Sequence, residues 1–139
     1  MKTITPYLLR FALTITVLTL VFRFFLSYGI AHQSNLITIL SAALYFMAMF
    51  ASGWYFGQKD GEYLPIYDVG FRFHLTTYLV HTGITFLWIL LGFGAEAERI
   101  GISVYIAVYW GIILLAHFVF YLWARKQAID SLDKDDLFE

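Results

Sequence analysis

The chain has no cysteine, which removes disulfides, thiolate metal sites and cysteine nucleophiles from consideration. Charge is scarce too: Asp, Glu, Lys and Arg make up 14% of 139 residues, where soluble globular domains carry about 25%. Nine basic residues against ten acidic ones leave no basic field, so nucleic acid is not expected as a partner. Proline occurs only at positions 6 and 65, outside the interior of every long apolar run, so the paired broken helices of inverted-repeat transporters have no support. GxSxG, P-loop and HExxH motifs are also missing, and the carboxylates fall in connections or the tail. No catalytic residue is assigned, and an enzyme is not expected.

What is present is apolar: 60% of the residues are hydrophobic and 20% aromatic. Four runs are each long enough to cross a bilayer, whose hydrocarbon core needs about 20 helical residues. The fold class read from them is an all-α integral membrane protein, a four-transmembrane-helix antiparallel bundle. Its helices are expected over about 6–28, 35–56, 69–94 and 102–124, forming one domain (1–124) before an acidic tail, 125–139. The first run is too long for a signal peptide and no small-residue cleavage pattern follows it, so it reads as a retained helix. Thr5 and Ser34 stand where helix caps belong, with Pro6 at the first helical position. Gly53 and Gly57 form a GxxxG pair at the end of the second helix, a spacing that permits close packing.

Residues 57–70, GQKDGEYLPIYDVG, read as the longest connection, with a turn at Lys59-Asp60-Gly61 and Asp68 capping the third helix. Its apolar residues suggest a segment lying in the headgroup layer or plugging one end of the bundle. Asp60, Glu62 and Asp68 near His74 read as turn and cap residues in preference to metal ligands.

Lys2, Arg10, Lys59, Arg72, Arg125, Lys126 and Lys134 fall at one end of such a bundle, and Arg23 and Arg99 at the other. The positive-inside rule then places both termini in the cytoplasm, in a cell (inner) membrane protein of multi-pass type whose first partner is the lipid bilayer.

Candidate functional residues concentrate in 71–93, FRFHLTTYLVHTGITFLWILLGF. His74 and His81 are seven residues apart and share one helical face with Thr77, Tyr78, Thr85, Trp88 and Gly92. A polar stripe on a spanning helix turns toward other helices or a water-filled cavity, because an unpaired ionisable group in lipid is costly. On the fourth helix Ser103, Trp110, His117, Tyr121 and Arg125 share a face. His81 and His117 both fall roughly 10 to 14 Å from the cytoplasmic surface, reckoned at 1.5 Å per residue, and are expected to meet.

That pair admits three readings. The histidines bond to Tyr45, Tyr78, Tyr121 or a threonine and hold the bundle together; or they line a proton or transport path with Arg23; or His81 and His117 ligate a b-type haem or another metal. No cofactor is otherwise implied. On the first helix Ala12, Thr16, Thr19, Arg23 and Ser27 form a polar stripe. Arg23 either snorkels to the near interface or pairs with Glu96 or Glu98. The expected function is that of an accessory, assembly or scaffolding subunit of a larger membrane complex, its partner being another membrane protein. The alternatives are a small homo-oligomeric transporter or channel with a polar His/Tyr/Arg pathway, and a bis-histidine haem subunit.

Overall fold

The computed structural model describes residues 4–135, with side chains through 129. Four helices run in order: α1 (Pro6–Ala31), α2 (Asn35–Gly61), α3 (Ile66–Leu90) and α4 (Ile100–Asp135). Each is long and apolar enough to cross a membrane. In lipid no water satisfies the backbone, and a helix satisfies its own N–H and C=O groups internally. All four run past or short of the limits expected from sequence. The α2 helix reaches Gly61 and α3 begins at Ile66, so the presumed long connection shrinks to four residues, 62–65. Asp60 and Asp68 therefore lie inside helices. Asp68 sits in the first turn of α3 and pairs with Arg72 one turn on, at 2.8 Å; the N-cap is Pro65, with no side-chain cap bond. A carboxylate in a helix's first turn also complements the macrodipole. The α4 helix continues into the stretch read as a tail, whose last four residues, 136–139, lie outside the described ones.

The caps on the first two helices are those the sequence suggests. Thr5 Oγ1 accepts from the Leu8 N–H at 3.0 Å, and Ser34 Oγ accepts from Ile37 N–H at 3.4 Å. Between them α1 and α2 turn tightly: a β-carbon on Gly29 would lie 2.7 Å from Thr38 Oγ1 and 3.0 Å from its backbone nitrogen, so glycine is required there by close approach. Gln33 closes the turn in the left-handed region, at φ 52°.

The α1 helix is the centre of the assembly, packing against both α2 and α3, while α4 packs against α3 alone. Successive helices are antiparallel. One end, here called the termini end, holds the α1 start, α2 end, α3 start and α4 end, and there Thr5 Oγ1 donates to Asp60 Oδ2 at 2.6 Å. The apolar core lies in that half: Leu8, Phe11 and Ile15 of α1 meet Val69 and Phe73 of α3. Phe11 is 1% exposed, with its ring centroid 4.6 Å from that of Phe73. The buried face of α1 is thus Leu8, Phe11, Ile15, Thr19, Arg23 and Ser27, apolar in its first half and polar in its second. Thr16 and Ala12, expected on that face, lie beside it, the Thr16 hydroxyl donating to the Ala12 carbonyl at 2.8 Å.

Candidate functional site

Polar side chains on the inner faces assemble into three separate networks, stacked along the bundle. The first is at the far end from the termini. Arg23 and Glu98 form an ion pair through Nη2 and Oε2, with side chains only 4% and 7% exposed. Glu98 lies in the 91–99 connection, whose chain reverses at Gly92 (φ +78°), and its side chain folds back between the helices. Its Oε1 accepts from Ser27 Oγ at 2.5 Å and from the Ala95 N–H at 3.1 Å, and Ser27 in turn accepts from Trp88 Nε1 at 3.0 Å. Of the two acids proposed for Arg23, the structure chooses Glu98; Glu96 is exposed. Nor does Arg23 snorkel, since its guanidinium is enclosed. Burial pushes the Glu98 carboxyl up, but the Ser27 hydroxyl, the Ala95 N–H and the Arg23 guanidinium together outweigh it and hold the group below the ordinary glutamate range.

The second network crosses the middle. Tyr45 of α2 stands between Thr19 of α1, 3.0 Å from its hydroxyl, and His81 Nδ1 of α3, at 2.9 Å. Phe22 stacks on the Tyr45 ring with centroids 4.4 Å apart. Three helices are tied by one tyrosine hydroxyl.

The third network lies toward the termini end and corrects the expected histidine pair. His117 meets His74 and not His81: the two Nδ1 atoms are 3.0 Å apart. Trp110 Nε1 donates to His74 Nε2 at 2.7 Å. An indole nitrogen only donates, so His74 carries its proton on Nδ1 and donates it to His117 Nδ1, which leaves the His117 proton on Nε2, beside Gly70. The reason for the correction is register. Along the α3–α4 seam Tyr67 faces Tyr121, Phe71 faces Phe118, and Tyr78 faces Gly111 and donates to the Ala107 carbonyl at 3.2 Å. His81 lies beyond that level, two turns from His74, against Trp110. Equal distance from the helix ends does not set this register, because α4 overhangs the start of α3. Tyr121 stacks on Phe71 with centroids 5.0 Å apart, and the Tyr78 ring meets Trp110 edge-on, so neither of these tyrosines is seen bonding a histidine.

This geometry does not fit a bis-histidine haem. Axial imidazoles on opposite faces of an iron keep a macrocycle between them. His74 and His117 instead touch directly, and His81 is engaged by Tyr45. Among the described residues no group of three or more His, Asp or Glu side chains converges as metal ligands would.

Two hollows lie between α2 and α4, whose Cα atoms do not come within 8 Å of each other among the described residues. The lower, about 510 Å³, lies toward the termini end and is lined by Phe50, Gly53, Trp54, Gly70, Phe73 and His74 among others. The upper, about 280 Å³, reaches from Tyr45 and His81 to Arg23 and Thr85. Phe46, Met49 and Trp110 border both. Among the described residues the fully buried side-chain polar atoms without a partner are Arg23 Nε and Thr85 Oγ1, and both residues line the upper hollow. A buried donor left unmet costs about 1–3 kcal/mol.

The sequence singled out Arg23, Glu98, Tyr45 and the histidines, but gave Thr19, Ser27, Trp88 and Trp110 only as members of stripes. Their signal was the stripe itself, since a hydroxyl or indole on the polar face of a spanning helix needs a partner. The protein defined by these features is an all-helical one with four helices of membrane-spanning length and polar groups cross-linked internally. Compared with protein-family models, curated proteins and solved structures, the chain matches none.

Proposed function

We propose that the protein is a non-enzymatic accessory subunit of a larger membrane complex. It sits in the cell (inner) membrane with both termini and the 62–65 connection in the cytoplasm. The observation that carries this reading is the open flank between α2 and α4. The α4 helix leans on α3 alone, and the lower hollow presents Phe50 and Trp54, 63% exposed each, beside the small residues Gly53 and Gly70. Small residues allow a helix backbone close, and aromatic side chains give a packed contact where lipid provides no hydrophobic drive between helices. A transmembrane helix of a partner fills this space. A channel or carrier would instead need a polar route from end to end, whereas His74, His117 and Trp110 bond one another, as do Thr19, Tyr45 and His81.

Two measurements test this. The tagged full chain, solubilised in mild detergent from its native membrane, is expected to bring down one stoichiometric membrane protein, and Trp54→Ala to reduce its recovery severalfold while leaving the chain's own melting temperature within a degree or two. A homo-oligomer without a partner would turn the reading toward the carrier. For orientation, seven basic residues at the termini end against two at the other favour a cytoplasmic carboxy terminus. A reporter fused after Glu139 is expected to be active only in a form that works in the cytoplasm; activity of an export-dependent reporter there would reverse the assignment.

A further inference from the structure

The α4 helix packs against α3 alone, and two of the hydrogen bonds that hold it there run through His74: from Trp110 Nε1 at 2.7 Å and to His117 Nδ1 at 3.0 Å. A neutral imidazole has one acceptor nitrogen. In this pair both are taken, His74 Nε2 by the indole N–H and His117 Nδ1 by the His74 Nδ1–H. An added proton therefore has no free nitrogen to occupy. Wherever it goes, two N–H groups come to face each other across one of the two contacts, and that bond is lost.

The groups around the pair supply no counter-charge. Across the lower hollow α1 and α2 present Phe11, Phe46, Met49, Phe50, Gly53 and Trp54. On α3 Asp68 is paired with Arg72 at 2.8 Å, Tyr78 lies one turn past His74, and His81 two turns past it is bonded to Tyr45. On α4 Tyr121 and Arg125 follow His117 at one and two turns. A proton still has a way in: in the isolated chain His74 lines the lower hollow, about 510 Å³, where one water takes about 30 Å³.

We propose that the His74–His117 pair is an acid-released latch: on protonation it gives up its mutual bond and lets the termini end of α4 swing away from α3 about the 91–99 connection. The bond from Tyr78 to the Ala107 carbonyl, nearer that connection, involves no group that titrates in this range, and Glu98, held below the ordinary glutamate range, stays ionised throughout. Released α4 leaves both rings free to bind protons that seated α4 excludes, so seating weakens as pH falls. With histidine at about 6.5 in the released state, one extra proton raises the ratio of released to seated α4 about tenfold between about pH 7.5 and about pH 5.5, and two raise it about a hundredfold.

The test uses the full chain, free of natural cysteine, in lipid nanodiscs, with spin labels on Ile66→Cys of α3 and Trp123→Cys of α4, both exposed at the termini end. The distance between them is expected to gain a longer population on going from about pH 7.5 to about pH 5.5, grown about tenfold or more relative to the short one. Labels on Leu9→Cys of α1 and Tyr55→Cys of α2, both exposed, are expected to keep their distance. His74→Gln with His117→Gln removes both titrating rings and is expected to abolish the response. Trp110→Phe is expected to shrink it, although the seam loses a bond: His74 Nε2 is vacated and takes the proton, while Nδ1–H stays on His117 as a charge-assisted hydrogen bond. An unchanged Ile66–Trp123 distance at the acidic pH, an undiminished response in either variant, or an equal change between α1 and α2 would each overturn the proposal. The measurement is made on the isolated chain, so an absent partner leaves its outcome untouched, and failure here leaves the partner experiment standing.

Discussion

Arg23→Leu is expected to lower the stability of the folded protein by about 3–5 kcal/mol, the usual cost of removing one member of a buried ion pair and stranding the other. The stranded group is Glu98, whose side chain is 7% exposed. Adding Glu98→Gln to Arg23→Leu should recover part of the loss, because a neutral amide can still accept from Ser27 and the Ala95 N–H. The two changes should therefore depart from additivity by about 0.5–3 kcal/mol, as coupled neighbours do. Glu96→Gln is the control: its side chain is exposed, so it should change stability by no more than about 0.5 kcal/mol in either background. Melting in one detergent, followed by circular dichroism, measures the single and double variants alike. Strict additivity of Arg23→Leu with Glu98→Gln would refute the pair.

Acid should act on the same site in a definite direction. Glu98 is held below the ordinary range in the folded state, so its contribution is fully present above the unfolded value, about 4.3. It is lost as pH falls through the lower folded value. The wild-type melting temperature should accordingly fall on acidification below about pH 4.3, and Glu98→Gln should lose that component of the fall.

Why the sequence yielded Arg23 and Glu98 but mispaired the histidines is a matter of degrees of freedom. Four apolar runs, few charges and two caps suffice to place four helices, because in a bilayer each must satisfy its own backbone. A buried arginine near one end has few carboxylates within reach, and only Glu96 and Glu98 stood at the neighbouring helix end. Histidine pairing, by contrast, depends on where one helix rests along the other, which distance from the helix ends does not fix. The α4 helix overhangs the start of α3, and the contacts Tyr67–Tyr121 and Phe71–Phe118 set the register that brings His74 opposite His117. Nothing in the spacing of α4 indicated that it would rest on α3 alone, since a helix with apolar residues around most of its surface suits lipid and protein equally well. The Gly29 contact with Thr38 was likewise invisible, because it arises from the closeness of two helices across a turn and not from either helix's pattern.

The histidine pairing can be tested directly, and the natural lack of cysteine makes the background clean. His74→Cys with His117→Cys should crosslink within one chain when treated with a short thiol-reactive crosslinker, since the native ring centroids lie 5.3 Å apart. Tyr45→Cys with His81→Cys should behave alike, its ring centroids being 5.5 Å apart. His81→Cys with His117→Cys should not react with the same reagent, because His81 and His74 are separated by two turns, about 10 Å. The reverse pattern would restore the opposed pair and the haem geometry with it. The stability consequences should also divide. His117→Ala removes one interhelical hydrogen bond, worth about 0.6–1.7 kcal/mol in a membrane bundle, and leaves the Tyr45–His81 bond intact. Trp110→Phe removes the donor to His74 Nε2, freeing His74 to take either tautomer. If the tautomer derived from Trp110 holds His117 in place, Trp110→Phe should cost a similar amount alone and add little on top of His117→Ala, because both act on the same chain of hydrogen bonds, Trp110 to His74 to His117.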